Sequence, residues 1–495
     1  MMKKKFLFMA AAGCLLSVKA VAGGLMTNTN YHIAFDRMFA RGATTEIDGT
    51  FSNPAGLVWG HEGFEMSLNF QKPWQNRDIE VDVPGFLGTG LNKKYEGVAS
   101  APIVPALFAT YHKDKWAVSG MIGIVGSGGF VKYDEGVPMF GVPVTALMTQ
   151  TIYNNVRTSM LNQGLPEAAA TTAAATLKND FSLSSSMKGK QYIYGGQVNF
   201  TYKLFDCLSA AVGLRANYYD GYYKGYVTAM PGENLAAASG SSAALMDMQL
   251  DCIQRGWGFT PIVGIDFHKD KWTVAVKYEF RTKIQTENDT ETLTLSTASS
   301  GSMNLRALAE QYGNDAVIAQ LAANPTFGSL AEKVAGYLPN AKTRYDMPSL
   351  LTVAVGYDFT EKLRAAVEYH WYDDKNAKMS GDRQETLSHG THEILAGVEY
   401  DINDKFTVSC GGQRTDYGLT DDYQQNTSFA CDSYSVGLGG AWNINDKVRL
   451  NVSYFTSIYS DYEKNLTNAY GTPYNAKETY SRTNHVIGVG LDYKF

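Results

Sequence analysis

The chain has 495 residues with 49 acids against 43 Lys plus Arg, and it is rich in Tyr (31) and Gly (48) but poor in Pro (14). A formal charge of −6 argues against nucleic acid as a partner. A soluble sandwich of this length would need several domains, yet no Pro- or Ser-rich linker separates any.

Residues 1–22 read as a secretory signal. Lys3, Lys4 and Lys5 form the positive end, Phe6 to Val18 a short apolar core, and Ala20-Val21-Ala22 a small-residue cleavage site. Cleavage removes four Lys and no acid, so the charge of the mature chain is expected to be −10. A lipoprotein reading on Cys14 lacks the usual Leu three residues earlier and leaves the apolar core very short. The apolar core is too short for a transmembrane helix, and no later stretch reaches the ~20 residues one needs. Of the remaining cysteines, Cys207, Cys252, Cys410 and Cys431, none forms a CxxC, so no thiol metal site is expected; nor is a disulfide.

Residues 23–63 precede the regular pattern. Phe35, Met38 and Phe39 lie near Arg37, Arg41, Glu46 and Asp48, and the segment ends in Asn53-Pro54-Ala55, a common way to open a turn. Period-two alternation then begins at Phe64, Met66, Leu68 and Phe70 and recurs down the chain. Lys271 to Ile284 is typical: Trp272, Val274, Val276, Tyr278 and Phe280 share one face, while Lys271, Lys277, Glu279 and Arg281 share the other. The third such run ends in Gly126-Ser127-Gly128-Gly129, which marks a bulge or bend. Two insertions change the period. Residues 143–180 and 286–345 carry helix-spaced apolar positions, including Leu147, Met148, Ile152 and Val156 in the first and Leu330 and Val334 in the second. Alternation resumes at Tyr192 and, after the second insertion, at Leu351, and it closes on His485 to Phe495.

The pattern predicts about fourteen strands, joined alternately by short turns (HKD, FD, KD, TE, ND, ND) and long loops. Short turns on one side and long loops on the other belong to outer-membrane barrels, whose outward face is apolar and whose lumen is polar. Trp116, Trp272, Phe406 and Trp442 sit beside short turns with outward parity, as an aromatic girdle does. The predicted fold is therefore all-β: a closed transmembrane antiparallel barrel over residues 64–495, in the bacterial outer membrane. A lumen of that width needs a filler, and residues 23–63 are the candidate plug.

The signal, a short segment ending in Asn53-Pro54-Ala55, and then fourteen strands resemble the outer-membrane long-chain fatty-acid transporter (FadL) family, which includes aromatic-hydrocarbon channels. Met347-Pro348-Ser349, the Gly-rich end of strand three and the ending Asn484 to Phe495 add to the likeness. The resemblance implies uptake of hydrophobic compounds, fatty acids first. Ligand would be captured on extracellular loops, here by Leu147, Met148, Ile152, Val156, Leu330 and Val334. It would then be held above a hatch carrying Asn53, Pro54 and Ala55, and released sideways at a strand-three kink built on Gly126, Gly128 and Gly129. A monomer is expected, with outer-membrane lipid and the insertion machinery as its other partners, and no cofactor or metal. A nonspecific porin or a surface adhesin is the alternative. A porin needs no segment before strand one. An enzyme is disfavoured: there is no GxSxG, and His389 and His392 lack an acid at metal spacing. His370 near Asp373 and Asp374 is the one pair that could be read as catalytic. Lys277, Glu279, Arg281, Arg364, Glu368 and Asp492 are expected to pair with opposite charges inside the lumen.

Overall fold

A computed structural model describes residues 31–101, 103–297, 301–323 and 335–495. The signal reading of residues 1–22 and the first part of the plug lie outside them, as do Leu330 and Val334. Fourteen strands wind in sequence order into one antiparallel wall: β1 (Gly63–Val83), β2 (Val104–Lys113), β3 (Trp116–Tyr133), β4 (Phe181–Phe205), β5 (Leu208–Pro231), β6 (Met246–Lys269), β7 (Trp272–Glu279), β8 (Leu350–Asp358), β9 (Leu363–Tyr372), β10 (His392–Asn403), β11 (Phe406–Asp416), β12 (Ser433–Asn443), β13 (Val448–Tyr459) and β14 (Ala476–Lys494). β14 pairs with β1, from Glu65 opposite Lys494 to Asp82 opposite Lys477, so the barrel is closed. No helix among the described residues is long and apolar enough to cross a membrane. The strands make the crossing.

Alternation dictates the wall. Leu68, Ile122, Val198, Val212, Leu214, Ile394, Leu438 and Val452 point outward and are exposed. Their sequence neighbours Ser67, Met121, Gln197, Ala211 and Asn451 are buried in the bore. Aromatic pairs ring the short-turn end: Phe64 with Phe495 (centroids 4.9 Å apart), Trp272 with Tyr357 (4.5 Å) and Phe406 with Trp442 (6.2 Å). The tight turns at Asp114 and Asp270 use left-handed backbone at φ 53° and 54°, which Asp tolerates better than most residues.

The strands on the long-loop side run far beyond the bilayer. β4 has 25 residues, roughly 80 Å of extended chain at about 3.3 Å each, against the ~10 that a membrane strand needs. The sequence pattern begins β4 only at Tyr192 and reads residues 219–255 as loop, whereas β4 starts at Phe181 and β5 and β6 continue to Pro231 and from Met246. Gln285–Thr297, expected within a helical insertion, is a strand that prolongs the sheet beside β6. Above the membrane no lipid rewards an apolar outer face, so these segments carry Ser, Lys, Thr and Glu outward and lose the alternation that marks a membrane strand.

Helices α1 (Ile33–Met38), α2 (Pro138–Asn162), α3 (Glu167–Leu177), α4 (Leu305–Tyr312) and α5 (Asn314–Ala323) complete the chain's main elements. α2 to α5 cap the prolonged sheet and form with it an extracellular tower over a core of Phe140, Leu147, Met148, Tyr223, Val227, Leu293 and Leu305. Among the described residues Cys207, Cys252, Cys410 and Cys431 are free thiols.

The exposed apolar face sets the first prediction. Leu438→Arg, at the middle of β12, puts a guanidinium against the acyl chains and should destabilise the barrel in lipid by about 2–4 kcal/mol. Urea unfolding in phospholipid vesicles measures it, with inward-facing Ser435→Arg, which enters the water-lined upper bore, expected to cost clearly less.

Candidate functional site: a plugged lumen

Residues 31–62 fold back into the bore. His32 caps α1 by accepting from the Ala34 N–H (3.1 Å), and Phe39 ends it at φ 63°. The wall makes room with glycine. A Cβ on Gly397 or Gly411 would lie 2.0 Å from the Met38 carbonyl oxygen, and one on Gly437 would lie 2.2 Å from that of Asp36. These inward positions of β10, β11 and β12 admit α1 because they carry no side chain.

Charge and hydrogen bonds then seat the segment. Arg37 lies in the bore against Glu399 and donates to Ser409 Oγ (2.7 Å). His32 lies 2.9 Å from Ser67 Oγ and 3.2 Å from Asp492. Arg449 of the wall reaches Glu46 (2.6 Å), which also receives Arg41 (2.6 Å). Burial alone would push the Glu46 carboxyl up, but Arg449, Arg41 and Arg37 outweigh it and hold it well below the usual carboxylate range. Asp36 has no such partner, and burial pushes its carboxyl well above that range.

Asn53, Pro54 and Ala55 are bound to three neighbouring strands. Asn53 Nδ2 donates to the Ile265 carbonyl of β6 (3.0 Å), and its Oδ1 accepts from Ala55 N–H (3.3 Å), capping the turn that Pro54 opens. Thr201 of β4 donates to the Pro54 carbonyl (2.8 Å) and Ser209 of β5 to that of Ala55 (2.6 Å). Gln197, Asn199 and Lys277 hold the carbonyls of Thr50 and Phe51 at 2.8–3.0 Å.

The segment divides the lumen. Above it lies a cavity of about 190 Å³ with Phe35, Phe39, Phe455 and Val486 at its base. Below it a vestibule of about 490 Å³ opens at the short-turn end, lined by Met38, Ala40, Arg41, His268, Asp358 and Glu361. Phe39 thus faces one space while Met38 and Ala40 face the other. Of the described residues lining the upper cavity, two are charged, and both are arginines. Arg77 of β1 and Arg482 of β14 stand directly opposite each other in the closing pair of strands. Arg482 lies over the Tyr459 ring (4.8 Å). Elsewhere Lys277 pairs with Glu279 (2.6 Å), Arg364 with Asp401 (2.7 Å) and Glu368 with His370, whereas Arg281, expected to pair in the lumen, is exposed beyond the end of β7 and donates to the Asn376 carbonyl.

The same cavity reaches a defect in the wall. β3 carries two bulges against β4, between Ile124 and Gly126 and between Ser127 and Gly129, with Gly128 inside the second. Gly129 sits at φ 73°, a backbone that favours glycine. The β2–β3 ladder stops at Ala106 opposite Gly123, and β3 regains a partner on that side only where Lys132 meets Val98. Between those points the described residues of β3 pair with β4 alone. Pro73 and Pro105, which lack an N–H, flank the opening. Ala99, Ala101, Val104, Gly126, Gly129 and Phe130 line the cavity there.

Residues 295–495 match the family model described as Outer membrane protein beta-barrel domain. A Pseudomonas aeruginosa FadL homologue superimposes with a TM-score of 0.63 at 12% identity, over 96% of this chain and 100% of that one. The P. putida toluene transporter TodX gives 0.53 at 13% identity, over 91% and 95%. The sequence by itself finds no match among curated proteins. This chain has the fold of the FadL-type β-barrels.

Within the FadL-type barrel the residues singled out from sequence fall in three places. Asn53, Pro54 and Ala55 stand at the plug–wall contact. Gly126, Gly128 and Gly129 stand at the wall defect. Leu147, Met148 and Ile152 are buried in the tower, with Val156 half-buried against them, so they hold the tower together rather than offer a free surface. His370 faces Glu368 and Glu393 rather than Asp373 and Asp374. Arg77 and Arg482 escape a sequence reading because they lie above the lipid-facing alternation, at opposite ends of the chain.

Asn53→Ala should loosen the plug without unfolding the barrel. It leaves the Ile265 carbonyl without its donor and removes the cap on Ala55, a loss of roughly 1–3 kcal/mol at that seat. Uptake at unchanged surface expression is expected to change, and an unchanged rate would contradict the role.

Proposed function

We propose that this barrel takes up hydrophobic compounds across the outer membrane, and that its ligand is an amphiphile with a long apolar chain and an anionic head, such as a long-chain fatty acid. The observation that carries the reading is the upper cavity, with its aromatic base and with Arg77 and Arg482 as the charged groups among its described lining residues. Arg77 and Arg482 stand opposite each other in the closing pair of strands, so two positive charges meet at one wall of the cavity. A carboxylate head accepts charge-assisted hydrogen bonds from them, while each methylene buried gains about 0.8 kcal/mol by leaving water. The apolar hollow between Met187, Tyr223, Val227, Met248, Leu293 and Leu305 in the tower is the first stop for the ligand.

Residues 31–62 act as the hatch. Phe35 and Phe39 form the floor on which the ligand rests. The defect between β2 and β3 serves as the side exit, since it adjoins the cavity and its prolines lower the number of donors left unpaired in lipid. Such a route keeps an acyl chain out of water throughout, which an open water-filled pore does not.

Arg482→Met and Arg77→Met test the head-group assignment. Each should weaken oleate binding about tenfold or more, from the roughly 1.5–3 kcal/mol of a hydrogen bond to a charged group. Binding of neutral toluene should be little changed. Calorimetry on detergent-solubilised protein reads both, and equal oleate affinity in wild type and variants would contradict the assignment.

A further inference from the structure

A continuous line of buried polar side chains runs from the upper cavity to the underside of the plug. Gln413 and Thr415 of β11 line the cavity, and both donate to the same oxygen, Glu393 Oε1, at 2.6 and 3.0 Å. The other oxygen of Glu393 lies 2.9 Å from His370 Nδ1. His370 Nε2 lies 2.5 Å from Glu368 Oε1. The second oxygen of Glu368 accepts from the backbone N–H of Gly42 in the plug at 2.6 Å. Gly42 is pressed against this carboxylate: a Cβ there would lie 3.1 Å from Glu368 Cδ and 2.8 Å from Ala354 Cβ. Glu393 and His370 have no exposed surface and Glu368 has 5%. The neighbouring loop residues Ala40, Arg41 and Ala43 line the vestibule below.

We propose that Glu393, His370 and Glu368 form a relay that ties occupancy of the upper cavity, sensed at Gln413 and Thr415, to the seat of the plug loop at Gly42. The inference rests on the cavity being a ligand site. An anionic head accepting from the Gln413 amide takes that donor away from Glu393. Glu393 keeps the Thr415 and Tyr372 hydroxyls (3.0 and 3.3 Å) but loses its amide donor, and it leans more heavily on His370 and draws the imidazole toward itself. Glu368 loses its partner, and with it the orientation that suits the Gly42 N–H. Three side chains with fixed partners at both ends thus connect a ligand above the plug to a backbone anchor below it. In a buried network each hydrogen bond polarises the next, and a half-satisfied member is costly, so the arrangement favours two discrete states over gradual loosening. Glu393, His370 and Glu368 are positioning residues: of the chain of contacts only Gln413 and Thr415 meet the ligand.

Hydrogen exchange of the full-length barrel in nanodiscs, with and without oleate, reads the anchor directly at residues 40–45. In wild type, oleate should speed exchange there about fivefold or more, the lower end of coupling between sites, while β12 stays unchanged. The isosteric Glu393→Gln should still bind oleate by calorimetry yet lose the increase. His370→Gln should show fast exchange at residues 40–45 without ligand. Heat-shift on gels reports whether each barrel is folded. Wild type that binds oleate without a change at residues 40–45, or an increase that survives in Glu393→Gln, overturns the relay alone. Wild type that does not bind oleate overturns the ligand reading and the relay together.

Discussion

No water reaches the hydrocarbon layer, so every peptide N–H and C=O that crosses it must find a partner within the protein. The pairing of β14 with β1 meets that demand by leaving no edge. It also sets a problem. Fourteen strands enclose more space than inward side chains can fill. The chain's own beginning fills it, and the wall is shaped to receive that segment. Glycines on β10, β11 and β12 let α1 approach to backbone distance. Acids and bases on β10 and β13 match Arg37 and Glu46 on the plug. Small donors on β4 and β5 hold the carbonyls of Pro54 and Ala55.

The pairing rule is relaxed in one sector, and the cavity lies against it. β3 takes two bulges and gives up its ladder with β2 over several residues, next to two prolines that have no N–H to lose. A wall broken at random would be a liability in lipid. Here the break adjoins a space closed below by Phe35 and Phe39 and lined by Arg77 and Arg482. Floor, charge and side opening are therefore parts of one compartment, with the plug common to its base and to the vestibule beneath.

What the sequence makes legible follows from where lipid acts. Within the bilayer one face must be apolar, so Trp272, Val274, Val276 and Tyr278 announce β7 without help from any other strand. Outside it, β4 from Phe181 and the strand Gln285–Thr297 face water, and their Ser, Thr and Glu look like loop. Asn53-Pro54-Ala55 is legible because three consecutive residues make a local turn. The Gly-rich end of β3 hints at irregularity through composition, although it does not give the register. Arg77 with Arg482, and Glu393 with His370, Glu368 and Gly42, are contacts between distant parts of the chain. Their meaning depends on barrel register, and no local pattern encodes it. The helical insertions mislead in one respect: their apolar faces read equally well as a capture surface or as tower core, and for α2 packing against β5 and its neighbours decides for core.

The account stands on the lumen being stoppered by residues 31–62. Single-channel recording of the full-length protein in planar bilayers tests this most directly. It predicts a channel that is closed for most of the time, with brief small openings when the plug shifts. A steady, large ohmic conductance from the wild-type chain would contradict it.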